Sequence, residues 1–335
     1  MALSPPATAS AASAASSAAP AAAPASTAST ASTASTASTA DLAPWPVMVL
    51  AYNEEEGIDA ALDSILASEP DQRLEVYVMA NGCTDRTEER VLAYARQRPE
   101  VKLVSIRLGD KCNAWNVFIH DTAAKACPGR EAYFFTCGDV RIVPGSLRAL
   151  RRAMQQDGHT NGAAAPPGSG RDVERDRKAQ MEEHALVAGL YALRGSFVER
   201  MQALGVRIPL NFEGDDALIG TLLQWDLAPA DRPMDLGRIA AVWDSAWVFD
   251  SLTLTRLSDW QFYWKRAIRY ARRYYEFKLL GPELKAKGLA GMPADIRDLY
   301  PRAEALTLRW QGIYTLTNWL ALRWMRNIGR QRVSA

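Results

Sequence analysis

Short apolar runs alternate with longer amphipathic stretches between residues 46 and 137. Pro46-Val47-Met48-Val49-Leu50-Ala51, Leu74 to Met79, Val101 to Ile106 and Ala132 to Thr136 are apolar, β-leaning and brief, so each predicts a buried strand. Between them, Ile58, Leu62, Ile65 and Leu66 recur at helical spacing, and Val91, Leu92 and Tyr94 mark a second helix. A third helix is predicted from about Cys112 to Ala126. Asn53 stands where it would cap the first. Strand and helix in repetition, with a polar turn after each strand, predict an α/β fold: a Rossmann-like, mostly parallel sheet with right-handed crossovers and helices on both faces. Ligands of such sheets sit beyond the carboxyl ends of the strands. The polar clusters Tyr52–Glu54, Asn81–Asp85 and Cys137–Asp139 fall at those ends.

The second half is less periodic. Residues 157–172, rich in Gly, Pro and Ala, predict a mobile loop. His184 to Arg194 is an apolar segment. Asn211 to Asp216 reads as a turn capping a helix from Ala217 to Leu223, and Ile239 to Phe249 as one strand. A long helix is predicted from about Ser258 to Leu280. A last one, from about Arg302 to Arg326, is expected to pack on the domain. The implied division is a disordered tail over 1–44, a catalytic domain over 45–256 and a C-terminal helical region over 257–335 that packs on the domain or a membrane surface. Within the catalytic domain, 45–156 would be the nucleotide half and 173–256 the acceptor half.

Composition narrows the function classes. The first forty residues are almost wholly Ala, Ser, Thr and Pro, with an Ala-Ser-Thr repeat from Ala25 to Ala40. Such a tract buries too little to offset its chain entropy. It lacks the basic start and Leu-rich stretch of a secretory signal. The formal net charge of +1 argues against bulk nucleic-acid binding. Cys83, Cys112, Cys127 and Cys137 form no C-x-x-C pair, so reduced thiols are expected rather than zinc or disulfides. No apolar run is long enough for a transmembrane helix. A cytoplasmic location, at most at the inner face of a membrane, is the expectation. His120, His159 and His184 do not cluster and receive no role.

Four signatures then appear in order. Val49-Leu50-Ala51-Tyr52-Asn53-Glu54 resembles the first-strand signature of family 2 glycosyltransferases. Asn81-Gly82-Cys83-Thr84-Asp85-Arg86-Thr87 resembles their second-strand turn. Gly109-Asp110-Lys111-Cys112-Asn113-Ala114-Trp115-Asn116 is similar to their Gly-Lys-x-x-Ala-x-Asn element. Arg266-Ala267-Ile268-Arg269-Tyr270 is similar to the (Gln/Arg)-x-x-Arg-Trp element of the processive and lipid-linked branches. The resemblance covers about residues 45–275. It implies a GT-A fold, a nucleotide-diphosphate sugar donor, a saccharide or lipid-linked acceptor and transfer with inversion.

The same resemblance distributes roles. Ala51, Tyr52, Asn53, Glu54, Asn81, Asp85, Lys111, Asn116 and Gly138 would bind the nucleotide sugar. The family's Asp-x-Asp is Cys137-Gly138-Asp139 here, so Asp139 would bear on a Mg²⁺ or Mn²⁺ cofactor, while Cys137 is a soft group poorly matched to a hard cation. Asp139 alone, help from another acid such as Asp244, or weakened metal use all fit that change. Phe212-Glu213-Gly214-Asp215-Asp216 resembles the family's Glu-Asp element, which makes Asp216 the base and Glu213 and Asp215 acceptor-side groups. Clustered acids also raise one another's proton affinity. Arg266, Arg269 and Tyr270 would hold a phosphate of donor or acceptor; contact with an anionic membrane, or a plain solvated basic face, reads the same residues differently. Two rivals stay open: a degenerate, non-catalytic sugar-nucleotide-binding protein, and a nucleotidyltransferase.

Overall fold

The structure, a computed structural model, describes residues 43–170, 173–249 and 257–333. The Ala/Ser/Thr-rich tail, apart from residues 43 and 44, lies outside the described residues. The strands are β1 (Trp45–Ala51), β2 (Leu74–Asn81), β3 (Val101–Ile106), β4 (Ala132–Cys137), β5 (Val140–Ile142), β6 (Gly162–Ala164), β7 (Leu190–Arg194), β8 (Ile239–Ala241) and β9 (Trp247–Phe249). Seven form one sheet in the order β3-β2-β1-β4-β7-β6-β8, while β5 and β9 make a two-stranded sheet. In the seven-stranded sheet β1 runs parallel to β2 and β4, β2 to β3 and β6 to β8, and β7 alone runs against its neighbours; β5 and β9 are antiparallel. The fold class is thus the mostly parallel α/β sheet expected.

Continuous apolar strands follow from burial on both faces. Met48, Tyr77, Met79, Tyr133 and Phe135 point into one core, shared with Trp115, Phe118 and Tyr275. Val47, Val49, Val76, Val78 and Phe134 point into the other, shared with Ile58, Leu62 and Leu147. The first core takes α3 (Lys111–Val117) and the long helix Leu257–Lys287; the second takes α1 (Ile58–Ser68) and the helix Ser146–Gln156. The helix α2 (Thr87–Gln97) joins β2 to β3.

Five expectations change. Asn53 does not cap α1. It sits at φ 54°, and Gly57 precedes the helix with no side-chain cap. Residues 157–170 are not simply a loop, for they contain β6, and Gly162 is there because a Cβ would lie 2.8 Å from the Ala192 carbonyl oxygen. Small residues mark close backbone approach at that point, not mobility; residues 171 and 172 lie outside the described residues. Ile239–Phe249 is two strands in two sheets, separated by a bend in which Ser245 donates to the Val242 carbonyl at 2.7 Å. The long helix runs on to Lys287, and its neighbour is no single helix. Ile296–Ala305 is 3-10 in character and carries Pro301, Gly312 adopts φ 56°, and the last helix spans Thr315–Val333. Proline and a left-handed glycine account for that break.

No helix among the described residues is long and apolar enough to cross a membrane.

Candidate functional site

The turns after β1 and β2 are fastened to each other. Asn53 Oδ1 accepts from the Thr84 amide at 2.8 Å, and its Nδ2 donates to Thr84 Oγ1 at 3.2 Å. Asp85 Oδ1 accepts from the Thr87 amide and hydroxyl at 3.0 and 2.6 Å, while Oδ2 accepts from the Glu55 amide at 3.0 Å. Burial acts to raise the Asp85 carboxyl, but these donors outweigh it and hold it below the usual range. Both of its oxygens are therefore engaged within the protein. Gly82 sits at φ 66°, where a Cβ would lie 2.6 Å from Gly109 Cα. Asn81 is buried, and its Oδ1 accepts from the Asp110 amide at 2.9 Å. Ala51 accepts from the Cys83 thiol through its carbonyl. Tyr52 is 55% exposed and faces the rim.

Asp110 caps α3 by accepting from the Asn113 amide at 2.9 Å, and its second oxygen accepts from the Asn211 amide at 2.6 Å. One aspartate thus ties the start of α3 to the acidic turn. Asn116, also on α3, imitates backbone: it exchanges two 2.8 Å hydrogen bonds with Ile208 and is buried. Both its Nδ2 and its Oδ1 take part in that bridge.

Glu213, Asp215 and Asp216 sit at the start of the helix Asp215–Gln224. Each carboxylate meets a cation. Lys111 Nζ is 3.0 Å from Asp215, Arg273 is 3.2 Å from Asp216, and Arg272 is 2.6 Å from Glu213. Burial would depress Lys111, yet Asp215, Cys137 and Asp216 hold it above its ordinary value. Burial and Asp215 push the Asp216 carboxyl up against the pull of Arg273 and Lys111. Behind these stands Glu276, which is wholly buried and accepts from the Glu213 amide at 2.9 Å and the Tyr300 hydroxyl at 2.6 Å. Gly214 has no room for a side chain, since a Cβ would lie 2.6 Å from the Phe277 ring.

The strand-end corner is different. Gly138 packs on Glu54, whose Cγ lies 3.2 Å from where a Cβ at 138 would stand. Burial first, then the charges of Asp139 and Asp85, raise the Glu54 carboxyl to about 7. Asp139 is exposed and pairs with no cation among the described residues. Burial pushes the Cys137 thiol up to about 12, and it donates to the Ala188 carbonyl. It is therefore a thiol at neutral pH, and a soft group poorly matched to a hard cation. Asp244 pairs instead with Arg152. Among the described residues no three Asp, Glu, His or Cys side chains form a metal cage. Two hard carboxylates, Glu54 and Asp139, suit a cation that takes its remaining ligands from substrate phosphates and water.

The two corners open on one cavity, lined by Lys111, Cys137, Ala188, Tyr191 and Asp215 among others. Arg266, Arg269 and Tyr270 stand apart, exposed on the long helix, where Arg266 Nε donates to the Tyr270 hydroxyl at 2.9 Å. The arginines that reach the acids are Arg272 and Arg273, further along the same helix. The i,i+4 spacing of Arg272 and Glu276 was the signal available in the sequence. Beyond Arg273 a groove of about 490 Å³ runs along Tyr270, Tyr274, Phe277 and Lys278.

The chain is similar in overall trace to several solved structures. The mannosyltransferase PcManGT from Pyrobaculum calidifontis, in complex with GDP-Man and Mn²⁺, shares 18% identity over 88% of this chain and 90% of that one, with a TM-score of 0.49. S. aureus TarS with UDP-GlcNAc shares 15% over 87% and 92%, with a TM-score of 0.47. Glucosyl-3-phosphoglycerate synthase from Mycobacterium tuberculosis, with Mn²⁺, UDP-glucose and phosphoglyceric acid, shares 18% over 75% and 81%, with a TM-score of 0.45. Likeness at this level bears on neither substrate nor mechanism. No curated protein matches the chain. The family profile described as Glycosyl transferase family 2 matches residues 47–213, from β1 to the first acid of the cluster. With the signature turns in order along that stretch and their side chains gathered at one rim of the sheet, the chain belongs to glycosyl transferase family 2.

Proposed function

We propose that the chain transfers a sugar from a nucleotide-diphosphate donor to an acceptor hydroxyl, with inversion at the anomeric carbon. The observation that carries this is the shared cavity. Cys137, two residues before Asp139, and Asp215, next to Asp216, are far apart in sequence yet line one space at the carboxyl rim of the sheet. Tyr52 and the turn around Asn81 stand at the nucleotide end. Asp85 and Asn53 act by holding that turn in shape, because their side chains are engaged there. Glu54 and Asp139 would hold Mg²⁺ or Mn²⁺, which would supply counter-charge to the diphosphate leaving group.

Asp216 is the general base, taking the acceptor proton as the hydroxyl oxygen attacks. Its raised proton affinity suits the task, because a base is most effective when its pKa approaches the working pH. Lys111, paired with Asp215, places positive charge on the same cavity wall. The sharpest test is Asp216→Asn assayed at saturating donor. Transfer at the wild-type rate would remove Asp216 from the mechanism. Cys137 is the observation favouring the second reading, a sugar-nucleotide-binding protein without turnover. Donor hydrolysis with and without Mn²⁺ separates the two, since a binding protein releases no sugar from any donor in either condition.

A further inference from the structure

The turn before the last helix turns its apolar side chains outward. Trp310 is 81% exposed and Ile313 83%, more than any other large apolar side chain among the described residues, and Tyr314 and Leu316 follow at 55% and 51%. Fraying does not explain it. The Arg309 amide donates to the Tyr275 hydroxyl at 2.9 Å, the Gln311 amide to Thr315 Oγ1 at 2.9 Å, and Asn318 Nδ2 to the Arg309 carbonyl at 2.9 Å. The helix that follows buries Ala321, Leu322 and Met325. A pinned turn therefore holds a contiguous apolar patch in water, and a patch of that kind marks a contact surface.

Charge says what the surface meets. No Asp or Glu occurs between Ala305 and Ala335, nor between Trp260 and Tyr275 on the neighbouring helix. Lys265, Arg266 and Arg269 are exposed on that helix. The Arg309 guanidinium lies 4.3 Å over the Tyr274 ring, joining the two stretches, and Arg323 lies 5.1 Å over Trp319. A second copy of this chain would set like charge against like. Tryptophan and tyrosine beside arginine, on an element too short and too polar to span, suit the headgroup layer of a bilayer, and the basic neighbours suit anionic lipid.

We propose that the Arg309–Trp319 turn, with the basic face of the long helix, docks the protein on an anionic bilayer at headgroup depth. Tyr274, against which Arg309 lies, also lines the 490 Å³ groove with Arg273, so docking would set that groove against the headgroups. The inference is independent of the catalytic reading, and its test reads no transfer.

The full chain would be floated with vesicles of phosphatidylcholine alone and of phosphatidylcholine with phosphatidylglycerol, at low and high salt. Association with the anionic vesicles only, reduced by salt, is expected. Trp310→Ser with Ile313→Ser should lower it at least tenfold while leaving the melting temperature unchanged, because both side chains are already in water. Lys265→Glu with Arg269→Glu should lower it by about fivefold or more per side chain. Failure to float with anionic vesicles at low salt, equal flotation with neutral ones, or undiminished flotation of both variants would overturn the proposal. So would a concentration-dependent dimer that the Trp310→Ser, Ile313→Ser variant abolishes, since the patch would then belong to a second copy.

Discussion

Glu213, Asp215 and Asp216 each face a cation drawn from elsewhere in the chain, whereas Glu54 and Asp139 face none among the described residues. One group is balanced internally and the other has no cation partner among the described residues; of the five acids, Asp215 lines the cavity, beside Lys111 and Cys137. Carboxylates balanced by the protein have a geometry fixed before any ligand arrives. Carboxylates left unbalanced repel each other, which is tolerable where a cation from solution completes the site. The acidic turn is thus held in position by the protein itself, whereas Glu54 and Asp139 have no such partner among the described residues.

Four measurements can break or sharpen that contrast. The largest effect is expected from Asp216→Asn, which keeps shape and removes the proton acceptor. Its kcat should fall by roughly 10²- to 10⁴-fold with donor saturating, and an unchanged rate would leave the balanced corner without a catalytic member. Next comes Glu276→Ala. Removing one partner of a buried ion pair costs about 3–5 kcal/mol, so calorimetry should register a fall in Tm of roughly 6–15 °C. A Tm within a degree of wild type would mean that Arg272 and Glu276 do not hold that corner together.

Asp139→Asn tests the opposite corner. Isothermal titration with a nucleoside diphosphate should show affinity falling about 10- to 100-fold in Mn²⁺ and hardly at all in metal-free buffer; equal losses in both conditions would deny the corner its cation. The smallest effect concerns acidity. Asp216 must be ionised to act, and Arg273 opposes the upward push of burial and Asp215. Arg273→Gln should therefore move the acid limb of the kcat–pH profile to higher pH, by about one unit or less. A limb that stayed put or moved to lower pH would show that Arg273 does not govern the base.

The stretch from β1 to β4 was readable in the sequence because its strands are buried on both faces and its turns carry unmistakable Asn, Gly and Asp punctuation. The boundaries of β1 to β4 fall within a residue or two of where the apolar runs ended. The stretch after β4 was less readable for two physical reasons. Gly162 and its alanine neighbours look like a loop by composition, but they are small because another backbone passes within contact distance. The acidic turn was visible as a cluster, but its cations were not assigned, because which face of a long arginine-rich helix meets the turn depends on rotation about the helix axis. A repeat of arginines at helical spacing does not state that rotation. Asp85 shows the converse: a motif position read as a ligand contact has one oxygen bonded in its own turn and the other to the turn after β1.

The missing side chain at position 214 reaches further than the turn itself. Phe277 lies so close to Gly214 that turn and helix behave as one moulded unit. The family profile stops at residue 213, one step earlier. Anyone grafting a foreign C-terminal segment onto the stretch that the family profile matches would have to transplant residues 214 to 287 as a single cassette. A helix carried over without its own turn would leave Asp216 aimed by a surface it was never fitted to.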